Sequence, residues 1–460
     1  MLRRTVVLNV VGLTRPLLDR RMPRLVAFAR EAQGAVIRPT FPALTCSAQS
    51  CYLTGLPPAQ HGIVGNGWYD RDLAEVHFWK QSNHLVAGSK LWDKLRSIDP
   101  SFTCAQLFWW YNMHAAVDFS VTPRPLYPAD GRKIFDIHTW PFPLRPEIKK
   151  DLGEFPFARF WGPAAGIDSS RWIADAACWV EARYHPTLSL IYLPHLDYNL
   201  QRLGPDHSQI ENDLRLVDNL VGDLVDFFRN RSVQIAILSE YGVTKVDTPI
   251  HLNRLFRRQG WLAIKDELGL ETLDCGASRV FAVADHQIAH IYLNDPTLEP
   301  KVRAVLESES GVEQILDAAA QLRLDIRHRR SGDLIAVAGP RSWFTYYYWE
   351  DNAVAPDFAR TVDIHRKIGY DPLELFIDPE LRWPKARIAG FLLRKKLGLR
   401  TLLNVIPLDA TLVRGSHGRR PEDRNEWPIL LLEKRDVPGH MANSLVDTEV
   451  HQQILQFCNA

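Results

Sequence analysis

The sequence has almost no net charge and few cysteines, and each shortage excludes a class of protein. Fifty-five basic residues face 54 acidic ones, for a net charge of +1, so we expect neither a nucleic-acid surface nor binding to an acidic partner. The six cysteines are scattered without any CxxC pair. They therefore predict reduced thiols rather than a disulfide framework, as is typical of a cytoplasmic protein.

Long apolar runs are also missing. No stretch approaches the roughly 18 uninterrupted apolar residues that read as a membrane span. The apolar run Thr5–Leu13 follows two arginines, but it is short and has no small-residue cleavage site. It predicts a first buried strand rather than a signal peptide. We therefore expect a cytoplasmic protein with no membrane span.

What the chain does have is enough apolar sequence, 46% of 460 residues, for one large core or one core with a smaller subdomain. Short β-branched runs alternate with helical stretches, which predicts an α/β fold with a mostly parallel sheet and helices on both faces. The predicted strands are Thr5–Val11, Phe102–Phe108, Thr187–Leu193 and Ser232–Leu238. The predicted helices are Arg21–Gln33, Leu91–Ile98, Ser170–Tyr184 and Ser208–Arg229.

The texture of the chain predicts three parts. Residues 1–295 form the core, with a Pro- and aromatic-rich excursion of little regular structure over 121–164. Residues 296–345 form a small inserted α+β cap subdomain, with helices over 300–307 and 312–322 and a strand over 333–337. Residues 346–460 return to the core, with strand texture over 401–433. The aromatic runs 108–111 and 343–349 either pack in the core or line an apolar cleft, and core packing is favoured.

Residues 40–69 carry the clearest functional signal. Thr45 stands at the mouth of a short predicted helix, about 46–54, which Gly55 and the following prolines end. A helix N-terminus offers free N–H groups and the positive end of a dipole to an anion. Asn66 follows on a glycine-flanked loop, where its amide could bind an oxyanion. The structural alternative is a helix-capping Thr followed by a turn.

The segment FPALTCSAQSCYLTGLPPAQHGIVGN (residues 41–66) resembles the nucleophile segment of type I phosphodiesterases and nucleotide pyrophosphatases, in the alkaline phosphatase superfamily. The resemblance implies an alkaline phosphatase-like three-layer α/β fold. It also implies that Thr45 is transiently phosphorylated as the nucleophile and that Asn66 holds phosphoryl oxygens. Two divalent metals, usually zinc, would flank the Thr.

The metal position beside the Thr departs from the family pattern. Where the family has an Asp before a Gly at the end of the first strand, this chain has Val11. Asn9 could bind a metal, although a strand-end amide is the simpler interpretation. The family's Ser-Asp-His-Gly corresponds here to a Ser-Glu-Tyr-Gly that contains Glu240 and Tyr241, so a carboxylate is kept and an imidazole is lost.

The second metal position is kept in part. Asp197 matches the family, but Gln201 stands where a His is expected. His417, in Gly-Ser-His-Gly, matches the last metal-binding His and is preferred to the alternative His365. The resemblance thus gives Asp197, Gln201, Glu240 and His417 as metal ligands, and it favours one site over two. Zinc is implied by the family, and Gln201 makes manganese or magnesium an alternative.

Other polar residues could compensate for the missing ligands. Asp285 precedes His286 and His290, which are four residues apart, a spacing that places side chains on one face of a helix or a strand. Arg414 could bind a substrate phosphate in place of a metal, or it could be a solvated surface charge.

Two functions remain open. The first is a hydrolase that cleaves a phosphodiester, pyrophosphate or related phosphoryl bond of a small phosphorylated substrate, with a Thr nucleophile and one or two divalent metals. The alternative is a catalytically degenerate relative that binds a phosphorylated metabolite or a partner protein without hydrolysis. Sulfatase chemistry is disfavoured because Cys46 lacks the C/S-x-P-x-R context.

Overall fold

A computed structural model describes residues 2–399, 401–434 and 441–459 of the chain. Its strands are β1 (Thr5–Val10), β2 (Ala32–Arg38), β3 (Gly67–Asp70), β4 (Glu75–Phe78), β5 (Cys104–Leu107), β6 (Phe119–Pro123), β7 (Ile137–Trp140), β8 (Leu188–Leu193), β9 (Gln234–Leu238), β10 (Thr244–Lys245), β11 (Thr248–Ile250), β12 (Ala263–Glu267), β13 (Leu270–Asp274), β14 (Val280–Asp285), β15 (Ile288–Leu293), β16 (Val312–Leu316), β17 (Leu334–Ala338), β18 (Ser342–Phe344), β19 (Gly415–Ser416), β20 (Ile429–Glu433) and β21 (Ser444–Val446). Its helices are α1 (Pro23–Glu31), α2 (Thr45–Thr54), α3 (Pro58–His61), α4 (Leu91–Ile98), α5 (Leu144–Leu152), α6 (Phe157–Phe160), α7 (Ile167–Tyr184), α8 (His195–Leu203), α9 (Ile210–Arg229), α10 (Leu252–Arg258), α11 (Glu299–Ser308), α12 (Ala318–Arg323), α13 (Pro384–Lys396) and α14 (Asp447–Asn459).

The main sheet has nine strands in the order β21-β2-β20-β9-β1-β8-β5-β6-β7. The run from β9 through β1, β8 and β5 to β6 is parallel, while β20 and the edge strand β7 pair antiparallel with their neighbours. Alternate β1 residues enter opposite cores: Val6 packs in the cluster with α7 and α9, whereas Val7 packs in the cluster with α2 and α14. The expected three-layer α/β fold is confirmed.

A second, four-stranded antiparallel sheet has the order β14-β15-β17-β16. It begins at Val280, which is earlier than the predicted boundary at 296. The helix predicted over 312–322 was wrong, because Val312–Leu316 forms β16 and only Ala318–Arg323 is helical. The reason is local: the Asp317 side chain accepts from the N–H of Ala320 and starts the helix there.

The excursion over 121–164 is more regular than predicted. It contains β7, which adds to the edge of the main sheet beside β6, and the helices α5 and α6. The nearby prolines do not prevent this strand from forming, because β7 is at the edge of the sheet and Pro141 comes after its last residue. Leu144 and Ile148, four residues apart on α5, are buried against the core.

Two predicted boundaries were also wrong. The first helix ends at Glu31, and Ala32 and Gln33 already belong to β2, paired with β20. Residues 401–414 form no strand, although the strand expected after them is present as β20. Val405 and Ile406 are buried without strand pairing in the aromatic core cluster, and Pro407 cannot donate to a ladder.

The aromatic run 343–349 packs in the core, as the sequence favoured. Trp343, Tyr346 and Trp349 are at most 1% exposed and belong to one apolar cluster beside the second sheet. Within the part of the chain that the structure describes, no helix has the length and apolar content to cross a bilayer.

Candidate active site

The candidate site lies at the carboxyl ends of three adjacent parallel strands, β8, β1 and β9. In open α/β sheets, ligands bind at this end of the strands, between the connecting loops. Asp197 lies in the first turn of α8, just after β8, and Glu240 follows β9. Thr45 is the first residue of α2, a helix that is buried along its whole length. The sheet and this helix bring the three side chains together.

The Thr45 hydroxyl is held by a tyrosine. Its Oγ1 lies 3.1 Å from the hydroxyl of Tyr241, and that hydroxyl donates to Asp197 Oδ1 at 3.3 Å. When the Tyr241 proton is directed to the carboxylate, the Tyr241 oxygen can accept the Thr45 proton. The two bonds form a chain from the Thr45 hydroxyl to a carboxyl group.

Asp197 is buried, and burial raises its pKa to about 7. Its second oxygen accepts from Gln201 Nε2 at 2.6 Å, and Gln201 Oε1 accepts from the Tyr370 hydroxyl at 2.9 Å. Both ends of the Gln201 amide are therefore used in hydrogen bonds. A pKa near 7 makes Asp197 suitable for taking up a proton at neutral pH.

His417 lies beside Asp197, with 4.0 Å between Nε2 and Oδ1. Its ring stacks on Tyr241 at 3.6 Å between centroids, and its Nδ1 lies 2.8 Å from the Ala43 carbonyl. The preceding Gly415 packs so closely on the backbone of α8 that a Cβ would lie 2.0 Å from the Leu200 oxygen. This close approach explains the glycine and sets the depth of His417.

Glu240 is fully buried, and burial raises its pKa to about 8. Its Oε1 accepts from Asn9 Nδ2 and from Gln49 Nε2, both at 2.5 Å. Gln49 lies one turn after Thr45 on α2, and the Thr45 hydroxyl is near enough to lower the pKa of Glu240. Among the residues that the structure describes, Glu240 Oε2 and Asn9 Oδ1 are buried oxygens without a hydrogen-bond partner.

Asn66 is already bound to protein groups. Its Oδ1 accepts from the N–H of Cys46, the residue after Thr45, at 3.1 Å. Its own N–H and Nδ2 donate to the two oxygens of Asp285 at 2.8 and 3.1 Å. Burial raises the pKa of Asp285 to about 7. A protein carboxyl group thus occupies the amide donors that the sequence assigned to a phosphate.

Asp285 comes from the second sheet, at the turn of the β14–β15 hairpin. The next residue, His286, has φ 63° and lies between Tyr370 and His417, at 3.6 and 3.8 Å between ring centroids. Burial lowers the pKa of His286 well below its usual value, and its Nε2 has no hydrogen-bond partner within the described part of the chain. His290 lies elsewhere, with Nε2 3.1 Å from the Val64 carbonyl and Nδ1 accepting from the N–H of Gly332.

The structure brings together most of the residues that the sequence proposed, namely Thr45, Asn66, Asp197, Gln201, Glu240 and His417. Arg414 is exposed, and its backbone N–H donates to the Gln201 carbonyl. His365 lies 3.3 Å from the Phe78 carbonyl rather than beside Asp197. Sequence reasoning missed Gln49 and Tyr370; Gln49 was detectable four residues after Thr45 on α2, and Tyr370 carried no signal.

The donor set does not fit the two zinc ions of the resembled family. In the described ranges, no three His, Cys, Asp or Glu side chains are grouped to hold a metal. Beside Thr45, however, the two partnerless oxygens of Glu240 and Asn9 provide oxygen donors. Oxygen ligands suit magnesium or manganese rather than zinc. The two oxygens would suit an oxygen-preferring cation, but they are two donors rather than a full set of ligands.

Comparisons with known proteins identify the family of the chain. The family model of type I phosphodiesterase/nucleotide pyrophosphatase matches residues 5–371. An uncharacterized pyrophosphatase/phosphodiesterase of Schizosaccharomyces pombe is 22% identical over 257 residues, which are 52% of this chain. The chain spans about half the length of that relative, 46% of it.

Solved structures share the fold. Murine ectonucleotide pyrophosphatase/phosphodiesterase 5 superposes with a TM-score of 0.59 at 12% identity, covering 99% of this chain and 95% of that one. An inactive variant of the same enzyme, in complex with AMP, gives 0.58 at 12% identity with the same coverage. Phosphonoacetate hydrolase from Sinorhizobium meliloti, in complex with phosphonoformate, gives 0.60 at 13% identity, with 100% and 96% covered.

Proposed function

Because the chain belongs to the type I phosphodiesterase/nucleotide pyrophosphatase family, a family of hydrolases, we propose that it hydrolyses a phosphodiester, pyrophosphate or related phosphoryl bond with Thr45 as the nucleophile. The observation that carries the proposal is the hydrogen-bonded chain from Thr45 through Tyr241 to Asp197. A hydroxyl is a weak nucleophile until a neighbouring base removes its proton.

In the reaction, Thr45 Oγ1 attacks phosphorus and forms a P–O bond while the bond to the leaving oxygen breaks. The Thr45 proton passes to the Tyr241 oxygen as the Tyr241 proton passes to Asp197, so Asp197 ends protonated. Water then attacks phosphorus and the P–O bond to Thr45 Oγ1 breaks, while the proton on Asp197 returns through Tyr241 to the Thr45 oxygen. The attacking water releases one proton to solvent, which balances the proton that the leaving oxygen takes up from solvent. A magnesium or manganese ion held by Glu240 Oε2 and Asn9 Oδ1 would supply positive charge against the phosphoryl oxygens.

Substrate binding requires rearrangement. Asn66 can donate its amide to a phosphoryl oxygen only after Asp285 has released it. The site residues are also nearly inaccessible, with Thr45 3% and His417 2% exposed. We therefore propose that the hairpin turn at Asp285 and His286 withdraws when a small phosphorylated ligand enters. AMP, which a structural neighbour binds, is a suitable first ligand.

The test is turnover of bis(4-nitrophenyl) phosphate and of ATP by the purified chain with magnesium or manganese. Thr45→Ala should lower turnover by about 1,000-fold or more, because the nucleophile is removed. The matched control is Thr54→Ala, which removes a buried Thr from the last turn of the same helix. Equal turnover by wild type and Thr45→Ala would refute the assignment.

The capture of Asn66 by Asp285 favours one second candidate, a binding protein that does not hydrolyse its phosphorylated ligand. Calorimetry with AMP separates the two. Saturable AMP binding that Asn66→Ala weakens, together with no turnover by wild type with either cation, would select the binding protein. Turnover that depends on Thr45 would select the hydrolase.

A further inference from the structure

Helix α13 is attached to the protein but adds almost nothing to its core. None of its 13 residues is buried, in contrast to the fully buried α2. Leu393 is 60% exposed, and Leu397, directly after the helix, is 68% exposed. Trp383, directly before it, is 80% exposed. Apolar side chains this exposed and this concentrated mark an interaction surface rather than ordinary scatter.

The spacing along α13 gives it two different apolar faces. Ile388 and Phe391 are half-buried and face the protein. Ala386, Gly390 and Leu393 follow one another at i, i+4 and i+7 on the opposite side, and Leu397 continues that line. The outward stripe is thus apolar, which a helix that faced only water would not need.

Basic residues border the outward stripe on both sides. At 100° per residue, Arg387 and Arg394 fall along one edge, and Lys385 and Lys396 fall along the other. Residues 382–402 contain seven Lys or Arg and no Asp or Glu. The chain as a whole is nearly neutral at +1, so this segment concentrates positive charge relative to the rest of the sequence.

A second exposed apolar segment lies next to this helix. Phe135 is 44% exposed, and Lys395 of α13 lies 5.5 Å from its ring centroid. Lys133 lies 5.8 Å from the same ring and extends the basic border. The segment around Phe135 exposes further large apolar side chains, namely Leu126, Tyr127, Ile134, Trp140 and Phe142.

We propose that residues 382–399, together with the adjoining Phe135, bind the surface of an anionic lipid bilayer. An apolar stripe bordered by Lys and Arg, with a Trp at its end, is the pattern of a helix that lies in the membrane interface. The stripe enters the acyl boundary while the basic borders contact anionic headgroups. Since α13 has 13 residues, it lies on the membrane rather than crossing it.

The charge decides between this ligand and a second copy of the chain. Face-to-face pairing of two α13 helices would oppose five positive charges with five others, with no acidic residue on either helix, which is repulsive. An anionic bilayer provides the complementary charge over the whole surface. It also accepts scattered apolar side chains without needing a shaped groove.

The experiment is sedimentation of the full chain with vesicles of phosphatidylcholine alone or with about 30% phosphatidylserine. We expect binding to the anionic vesicles, at least about tenfold weaker binding to neutral ones, and release by about 0.5 M NaCl. Leu393→Gln with Leu397→Gln should weaken anionic binding about tenfold or more. Arg394→Gln with Lys396→Gln should also weaken it and should reduce its salt dependence.

Matched controls use equally exposed residues elsewhere. Leu322 is 64% exposed and Leu268 is fully exposed, so Leu322→Gln with Leu268→Gln should leave vesicle binding unchanged. All of these side chains are on the surface, so the variants should fold, which circular dichroism verifies. Equal binding to both vesicle types, or equal binding by the α13 and control variants, would overturn the proposal. A wild-type dimer that the Leu393/Leu397 variant dissociates, with no vesicle binding, would assign the surface to self-association and would also overturn it.

Discussion

The substitution Tyr241→Phe tests the hydrogen-bonded chain that organises the site. The ring and its stacking on His417 at 3.6 Å are kept, and only the hydroxyl is removed. Two hydrogen bonds are lost, to Thr45 at 3.1 Å and to Asp197 at 3.3 Å. At about 1 kcal/mol each, with a further cost for the buried carboxyl oxygen left without its donor, the free energy of unfolding should fall by about 2–3 kcal/mol.

The same change should affect the titration of Asp197. The hydrogen bond from Tyr241 lowers the pKa of that carboxyl, so its loss should raise the pKa further above 7. If Asp197 takes up the Thr45 proton through Tyr241, turnover should fall by about 100-fold or more, the usual size of a general-base contribution. The acidic limb of the pH–rate profile, where turnover rises as Asp197 loses its proton, should shift to higher pH.

The assays are urea unfolding followed by circular dichroism and the pH profile of phosphodiester turnover. Tyr347→Phe is the matched control, because Tyr347 is 1% exposed and its hydroxyl has no hydrogen-bond partner. Its loss of stability should be within about 0.5 kcal/mol. If Tyr241→Phe is no more destabilising than Tyr347→Phe, the Tyr241 hydrogen bonds do not hold the site together.

Two further predictions concern stability. Burial raises the pKa values of Asp197, Glu240 and Asp285, so the folded state holds their protons to higher pH than the unfolded state, and thermal unfolding should show stability falling between about pH 6.5 and 8. Below about pH 6.5 the stability should instead fall as the pH falls. Burial lowers the pKa values of several histidines, including His286 and His417, so the unfolded state binds protons there that the folded state does not. Stability that rises steadily from pH 6 to 8 would contradict the burial of these carboxyls. Lys367→Met should cost about 3–5 kcal/mol in urea unfolding, since Lys367 is buried with its Nζ 2.7 Å from both Asp371 and Glu374. The exposed Lys301→Met is its control and should change stability by less than about 0.5 kcal/mol.

The sequence predicted the main sheet well because β1, β8 and β9 are buried on both faces and read as continuous apolar runs. It predicted β16 wrongly because Val312–Leu316 and the helix after it form one continuous stretch, in which only the cap at Asp317 marks the change. The edge strand β7 was missed for a different reason. Its pairing with β6 is a tertiary contact, and the surrounding prolines gave a local signal for irregular structure.

At the site, sequence predicted which residues converge but not what they bind. Asp197 and Glu240 follow buried parallel strands, so their meeting near Thr45 could be expected. The hydrogen bonds between Asn66 and Asp285 could not be expected from the sequence. Asp285 lies 219 residues after Asn66, on a hairpin turn that belongs to another sheet. Only packing between the two sheets brings those groups together.

Because the β14–β15 turn lies against the site, access of a ligand to Thr45 depends on the stability of the second sheet. The turn inserts His286 between Tyr370 and His417, so any opening of the Thr45 site must separate these rings and disturb the hairpin. Residues of β15 and β17 that never meet a ligand would then set how often the site is open, since weaker pairing there lowers the free energy of local unfolding. Amide hydrogen exchange in this hairpin would therefore report how often the buried Thr45 becomes reachable.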